Sequence, residues 1–172
     1  MKSNFLLVCS LSLSLAAIAQ QTEQPTVTFP FNLRLFTPDS MPVQSADVFK
    51  TGKPTVIAFW LTTCMPCHAE FEAYAQNFEA WKKQTDFNLV AMSMDYQVRF
   101  RRVGEMVREK KWPFPVYWDR ERAFKDIMPG GLNGLPQVFV FDPKGRLVWQ
   151  HKGFRPGNES ELWEQVQLAA RQ

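Results

Sequence analysis

The stretch PTVIAFWLTTCMPCHAE, residues Pro54–Glu70, decides the fold of this chain. An apolar run from Val56 to Trp60 leads directly into Cys64 and Cys67, where an amphipathic pattern begins. The pattern predicts a buried strand, a tight turn that carries both thiols, and a helix that begins at the first thiol. A helix N-terminus stabilises a thiolate through free backbone N–H groups and the positive end of the helix dipole. The stretch therefore predicts a thiol–disulfide redox site.

The first 19 residues have the pattern of a secretory signal peptide. Lys2 supplies a positive charge, residues 5–15 are apolar but too few to favour a transmembrane span, and Ala17-Ile18-Ala19 fits a cleavage site. We expect cleavage after residue 19, a mature domain of residues 20–172, and a periplasmic or otherwise extracytoplasmic location. Cys9 follows Val8, where a lipoprotein signal has a small residue, so we expect no lipid anchor.

Composition indicates one globular domain without a nucleic-acid partner. The 172 residues are 45% hydrophobic and 22% charged, and the formal charge of +3 falls to +2 once Lys2 is removed. Export also removes Cys9, which leaves Cys64 and Cys67 without any other cysteine partner. A pair this close in sequence closes too small a loop to be a stability staple, so a redox-active disulfide is favoured over a structural one. We expect no other cofactor, no metal and a monomer.

The rest of the chain predicts an α/β fold. Its crossovers imply parallel strands and its closing hairpin an antiparallel pair, hence a mixed central sheet with helices on both faces and an N-terminal β-hairpin extension. The predicted elements are a hairpin at 32–43, a helical turn at 45–49, strands at 55–60, 87–94 and 116–118, helices at 65–83, 97–110 and 120–127, a hairpin at 137–151, and a last helix at 159–171. Asn158 and Glu161 predict a capping box at the start of the last helix. The sequence predicts that residues 20–30 form a tether with an edge strand at 26–29.

The helix predicted at 97–110 has a strongly basic outer face. Its cations are Arg99, Arg101, Arg102, Arg108 and Lys110, partly balanced by Glu105 and Glu109. Such a face is either a solvated helix surface or a docking patch for an acidic partner.

Two motifs resemble those of extracytoplasmic thioredoxin-like proteins of the TlpA/ResA type. AFWLTTCMPC, residues 58–67, is similar to their active-site stretch, and GLPQVFVFDPKG, residues 134–145, is similar to their second signature. The resemblance runs from about residue 32 to the C-terminus. It implies a thioredoxin-like fold and an exported thiol–disulfide oxidoreductase, of a family in which several members act around cytochrome c maturation.

The resemblance also implies roles for individual residues. Cys64 is the attacking thiol, and Cys67 is the resolving thiol that breaks the mixed disulfide. Pro136 matches a cis-proline beside the dithiol, which leaves the backbone of Leu135 free to pair with an extended substrate. Glu70 is the expected general base, one helical turn beyond Cys67. Thioredoxin places a buried acid on the strand instead, at a position that is Ala58 here.

Substrate contact is expected from Leu135, Thr63, Met65, Pro66 and Trp60. Thr63 departs from the family pattern, which has Trp immediately before the first cysteine, so the docking surface differs. The expected partners are protein disulfide substrates and a membrane thiol-transporting electron donor, with disulfide reduction as the expected direction.

Residues 64–68, CMPCH, also fit the attachment motif of c-type haem. His68 would then ligate iron, with Met92, Met94 or His151 as sixth ligand. The strand-rich chain and the Leu135-Pro136 signature argue against this alternative. A non-catalytic thioredoxin-like binding module is the other alternative.

Two further classes are disfavoured. A peroxiredoxin has Pro and Thr upstream of its peroxidatic cysteine, where this chain has Ile57 and Leu61. A zinc site lacks ligands, because His151 lies far from the cysteine pair without motif spacing.

Overall fold

The computed structural model describes residues 27–29 and 31–172. The predicted signal peptide and its cleavage site lie outside the described residues. Within residues 27–29 and 31–172, no helix is long and apolar enough to cross a membrane.

The described chain alternates strands and helices in the predicted order. The strands are β1 (Arg34–Phe36), β2 (Pro42–Gln44), β3 (Thr55–Trp60), β4 (Asn88–Ser93), β5 (Val116–Trp118), β6 (Gln137–Phe141) and β7 (Leu147–Lys152). The α-helices are α1 (Ser45–Val48), α2 (Met65–Gln84), α3 (Phe100–Lys110), α4 (Phe124–Ile127) and α5 (Asn158–Ala169), with 3₁₀ turns at Gln97–Arg99 and Pro129–Leu132. Asp119 begins the α4 region as a cap, because its carboxylate accepts hydrogen bonds from the backbone N–H groups of Ala123 and Phe124.

All seven strands form one mixed sheet in the order β2-β1-β5-β4-β3-β6-β7. β3 pairs in parallel with β4, and β4 pairs in parallel with β5, whereas the other neighbours are antiparallel. The predicted mixed sheet and its N-terminal hairpin extension are thereby confirmed. β3 is central and buried along its whole length, which explains its uninterrupted apolar sequence.

Alternation along β3 divides the core into two halves. Val56, Ala58 and Trp60 pack on the face that α2, α3 and α5 cover. Ile57 and Phe59 pack on the other face, with α4 and the segment before β1. Helices on both faces were predicted, and this arrangement confirms them.

Two expectations about local structure are wrong. Residues 27–29, the described part of the segment predicted as a tether, pack against the fold: the side chain of Phe29 is only 2% exposed and, like that of Phe31 just beyond the segment, lies among core aromatic rings. Its predicted edge strand is reduced to one bridge, between Thr28 and Arg146. The predicted capping box is also absent: Gly157 occupies the N-cap of α5, and Asn158 accepts a hydrogen bond from a backbone N–H upstream of the helix.

Strand pairing gathers several loops at one end of the sheet, which we call the site edge. Trp60 and Trp118 both pair with Ser93, so the C-terminal ends of β3, β4 and β5 lie together. Gln137 pairs with Phe59 and with Lys152, which brings the start of β6 and the end of β7 to the same edge. Ligand and reaction sites of α/β sheets form preferentially at such an edge.

Candidate active site

The two cysteines lie at the start of α2, as predicted, and are joined in a disulfide. Cys64 is the N-cap residue, and its sulfur accepts a hydrogen bond from the backbone N–H of Cys67 at 3.3 Å. Cys64 is half-exposed, whereas Cys67 is fully buried. The helix N-terminus therefore presents one sulfur to solvent and holds the other in the core.

A buried aspartate, which sequence reasoning missed, anchors the loop before Cys64. The carboxylate of Asp95 accepts hydrogen bonds from the Thr62 backbone N–H at 2.8 Å and from the Thr62 hydroxyl at 2.7 Å. The Ser93 hydroxyl donates to the same carboxylate at 2.9 Å, and the indole of Trp118 donates to the Asp95 carbonyl at 2.8 Å. Asp95 thus ties the dithiol loop to the end of β4.

Glu70 is buried on α2, one turn beyond Cys67, with its side chain in the core and only 1% exposed. Glu70 is therefore not an ordinary solvent-exposed glutamate near a helix start. Burial raises the pKa of Glu70 to about 8, although a hydrogen bond with Tyr74 acts in the opposite direction. The second carboxyl oxygen of Glu70 has no hydrogen-bond partner within the described part of the chain. At neutral pH, Glu70 is therefore mostly a neutral acid.

Tyr74 is the second residue that sequence reasoning did not assign to the site. Its side chain is 1% exposed and lies one helical turn beyond Glu70. Burial and the neighbouring Glu70 raise the pKa of Tyr74 well above its ordinary value, so Tyr74 remains a neutral phenol and hydrogen-bonds to the carboxyl of Glu70. In the sequence, the spacing of apolar residues along this helix marks Tyr74 only as a core residue.

The expectation for Trp60 is wrong. Its side chain is fully buried, with ring centroids 5.2 Å from Trp112 and 5.7 Å from Phe71, so it cannot contact a substrate at the surface. As the last residue of β3, Trp60 faces the core on the α2 side of the sheet.

The site does not fit covalently attached haem. Covalent haem attachment uses both thiols of the C-x-x-C-H motif and directs its histidine at the iron. Cys67 is fully buried, and the His68 ring packs edge-on to Trp60 and hydrogen-bonds to the backbone of Leu61. Burial and, secondarily, the charge of Lys110 lower the pKa of His68.

The other residues expected to contact a substrate lie around the dithiol. Thr63, Met65 and Pro66 are exposed, and Met65 is 72% accessible. Leu135 is half-buried and packs on the same core cluster as Cys64.

The Leu135–Pro136 peptide bond is cis, as predicted. The turn is held by two hydrogen bonds: Gly153 N–H donates to the Pro136 carbonyl, and the Gln137 side-chain amide donates to the Gly134 carbonyl, both at 2.8 Å. The backbone of Leu135 makes no hydrogen bond within residues 27–29 and 31–172, and is open to a partner chain.

Comparison with known proteins agrees with this geometry. The sequence model of the AhpC/TSA family matches residues 23–150. The chain belongs to the AhpC/TSA family. The chain is 31% identical to the thiol-disulfide oxidoreductase ResA of Oceanobacillus iheyensis over 109 residues, which cover 63% of this chain and 53% of the relative. It is 22% identical to the thiol:disulfide interchange protein DsbE of Pasteurella multocida over 107 residues, covering 62% and 55%.

These matches span about half the length of the curated relatives. Solved structures cover more of the fold. A thioredoxin-like protein from Porphyromonas gingivalis superposes with a TM-score of 0.69 at 28% identity, covering 82% of this chain and 91% of that chain. A putative DsbE from Chlorobium tepidum gives a TM-score of 0.69 at 25% identity, covering 84% and 97%. The thioredoxin-like fold and the resemblance to ResA-type proteins are confirmed.

Proposed function

We propose that this protein is an exported thiol–disulfide oxidoreductase that reduces protein disulfides through Cys64 and Cys67. The observation that carries the proposal is the asymmetry of the pair: a half-exposed sulfur at a helix N-terminus is bonded to a fully buried one. Only the exposed sulfur can meet a folded protein, and the buried one is reserved for the internal step. Relatives named as thiol-disulfide oxidoreductases support the same reaction class.

The reaction requires two exchanges. In the reduced protein, the Cys64 thiolate attacks one sulfur of the substrate disulfide, forms a mixed disulfide, and releases the other substrate sulfur as a thiolate. The Cys67 thiolate then attacks the Cys64 sulfur, which forms the Cys64–Cys67 disulfide and releases the second substrate thiolate. Two electrons pass to the substrate, and the structure corresponds to the oxidised product.

Glu70 is the proposed base for the second exchange. Cys67 is buried and must lose its proton before it can attack, and Glu70 lies one helical turn away. An ordinary thiol has a pKa of about 8.5. The pKa of Glu70 is about 8, so at neutral pH a minority of molecules carry the Glu70 carboxylate, and in these it accepts the thiol proton.

Substrate and donor are proposed from chemistry and family. An exported reductase works in an oxidising compartment and needs electrons from outside it, so a membrane thiol-transporting protein is the proposed donor. Protein disulfides, with apocytochrome as one case, are the proposed substrates. The open backbone of Leu135 offers an edge to an extended substrate segment.

The reduction potential of the pair tests the direction of the reaction. A value below roughly −230 mV supports a reductase, whereas a value near about −120 mV belongs to a strong oxidant and overturns the proposal.

Turnover of an insulin-type disulfide tests for catalysis. The wild-type protein is expected to reduce it, and Cys64→Ser is expected to abolish the reaction. Cys67→Ser is expected to accumulate the mixed disulfide, visible as a mass adduct. Absence of any exchange by the wild type supports the non-catalytic binding module instead.

A further inference from the structure

Several exposed apolar side chains lie on the segments that leave the sheet at the site edge. Of the seven exposed large apolar residues in the described chain, Met65, Tyr96, Val98 and Phe100 belong to the two segments that follow β3 and β4. Val98 is 89% accessible and Tyr96 is 63% accessible. Single exposed apolar residues are ordinary, but a group beside a reactive site indicates a contact surface.

The loop that carries Tyr96 and Val98 is fixed against the dithiol loop. Both hydrogen bonds from Thr62 to Asp95 join the residue before Tyr96 to the turn before Cys64. A substrate that reaches Cys64 at the site edge therefore passes beside this loop.

The same loop is cationic. Arg99 follows Val98 directly, is exposed, and forms no salt bridge in the part of the chain that the structure describes. Arg122 places its guanidinium 4.4 Å from the centre of the Tyr96 ring and donates a hydrogen bond to the Met94 carbonyl. Positive charge thus lines one side of the site edge.

A lysine lies on the opposite side of the site edge. Lys152 ends β7, is exposed, and has no salt bridge among residues 27–29 and 31–172. The Lys152 ammonium group lies against Gly134, because a Cβ added to Gly134 would be only 3.2 Å from the ammonium nitrogen. The positive charge is therefore next to the Gly134–Pro136 turn. We call Arg99, Arg122 and Lys152 the cationic rim.

Most acidic groups near the rim are buried or paired with a cation. Asp95 and Glu70 are buried. Among the exposed acids, Glu72 pairs with Lys110, Glu105 with Arg102 and Glu121 with Arg120, whereas Glu161 and the half-buried Glu159 accept hydrogen bonds only from neutral groups and keep their charge. No salt bridge in the described part of the chain neutralises Arg99, Arg122 or Lys152, so their positive charges remain available to a substrate at the site edge.

We propose that the cationic rim selects substrates, so that the preferred substrate is a polypeptide with acidic residues flanking its disulfide. The inference rests on the proposed function and deepens it. Fixed charges of one sign around a cleft raise the local concentration of oppositely charged partners and speed their association, with a strong dependence on ionic strength. The electrostatic contribution acts on encounter and leaves the exchange chemistry of Cys64 in place.

The experiment measures single-turnover rate constants of the pre-reduced protein. The substrates are two cyclic disulfide peptides that differ only in whether four flanking residues are acidic or basic, together with hydroxyethyl disulfide as a small neutral reference. The test variant is Arg99→Glu/Lys152→Glu. The matched control is Lys50→Glu/Lys83→Glu, which makes the same charge change at two exposed lysines, located before β3 and at the end of α2.

The wild type and the control are expected to reduce the acidic peptide about tenfold faster than the basic one at low ionic strength, and the preference is expected to shrink at about 1 M salt. In the test variant, the rate for the acidic peptide relative to hydroxyethyl disulfide is expected to fall about tenfold. Equal rates for the two peptides, a preference for the basic one, or the same loss in the control variant overturns the inference. Failure of the wild type to reduce any of the three disulfides overturns the proposed function instead.

Discussion

Replacing Glu70 by Gln is expected to stabilise the oxidised protein, by an amount that grows with pH. Burial raises the pKa of Glu70 from an ordinary value of 4.5 to about 8. Between these two values the unfolded chain has lost the proton and the folded chain still holds it. The unfolded state then binds fewer protons, so the free energy of unfolding of the wild type falls as pH rises. A glutamine side chain does not titrate in either state, so the substitution removes this dependence.

The magnitude follows from the two pKa values. Each unit of pKa difference corresponds to about 1.36 kcal/mol, so the full difference between 4.5 and about 8 is about 5 kcal/mol above pH 8. At pH 7 the unfolded group is ionised and the folded group is mostly neutral, which leaves about 3 kcal/mol of destabilisation. Below pH 4.5 the contribution vanishes.

The assay is denaturant unfolding of the oxidised wild type and of Glu70→Gln at pH 4, 7 and 8.5. Glu79→Gln is the matched control, because Glu79 lies on the same helix and is exposed. The stability gap between Glu70→Gln and wild type is expected to widen by roughly 3 kcal/mol from pH 4 to pH 7, whereas Glu79→Gln stays close to wild type throughout. A gap that is constant with pH, or that matches the control, refutes a buried Glu70 with a raised pKa.

Three further variants test the surroundings of the dithiol and the fold. Tyr74→Phe removes the hydrogen bond that lowers the pKa of Glu70, so the pH midpoint of the resolving step is expected to move upward, with a stability loss of about 1 kcal/mol; an unchanged midpoint contradicts the contact. Asp95→Asn leaves one of the two Thr62 donors without its acceptor, so it is expected to lower the free energy of unfolding by about 1–3 kcal/mol and to slow insulin reduction. Thr62→Ser is the control, because serine keeps both the backbone N–H and the hydroxyl donor. Gly145→Ala forces a side chain at φ +83° with its Cβ 2.6 Å from a backbone oxygen, so a stability loss of about 2 kcal/mol is expected without loss of activity per folded molecule.

The cysteine pair, the strand and helix that carry it, and the Leu135–Pro136 turn could be predicted from the sequence because each is marked by a local sequence pattern. The apolar run of β3, the first turn of α2 and the Leu135–Pro136 turn each lie within a few neighbouring residues. Asp95 was missed because its contact with Thr62 depends on which residue of β4 lies opposite the end of β3, and strand register is a property of the sheet.

The direction of its side chain explains why Trp60 was wrongly predicted to contact a substrate. Trp60 is near Cys64 in sequence, which suggested a surface aromatic. Successive strand residues face opposite sides of the sheet, and Trp60 follows Val56 and Ala58 onto the α2 face. Lys152 is the converse case: it lies far from Cys67 in sequence, and only the pairing of β6 with β7 places it at the site edge.

The burial of Glu70 connects stability with the proposed chemistry. An ordinary thiol with a pKa of about 8.5 would give its proton to a carboxylate of pKa 4.5 only at a cost of about 5 kcal/mol, whereas transfer to a group near 8 costs less than about 1 kcal/mol. The burial that lowers this barrier is the same burial that destabilises the folded protein above pH 4.5. β3 has Ala58 at the position where thioredoxin has a buried acid, so Glu70 is the residue that both accepts the proton and lowers the stability of the folded protein. The same substitution, Glu70→Gln, is therefore expected to stabilise the protein and to slow release of the mixed disulfide. If Glu70→Gln gains stability but releases the mixed disulfide at the wild-type rate, Glu70 is not the base of the resolving step.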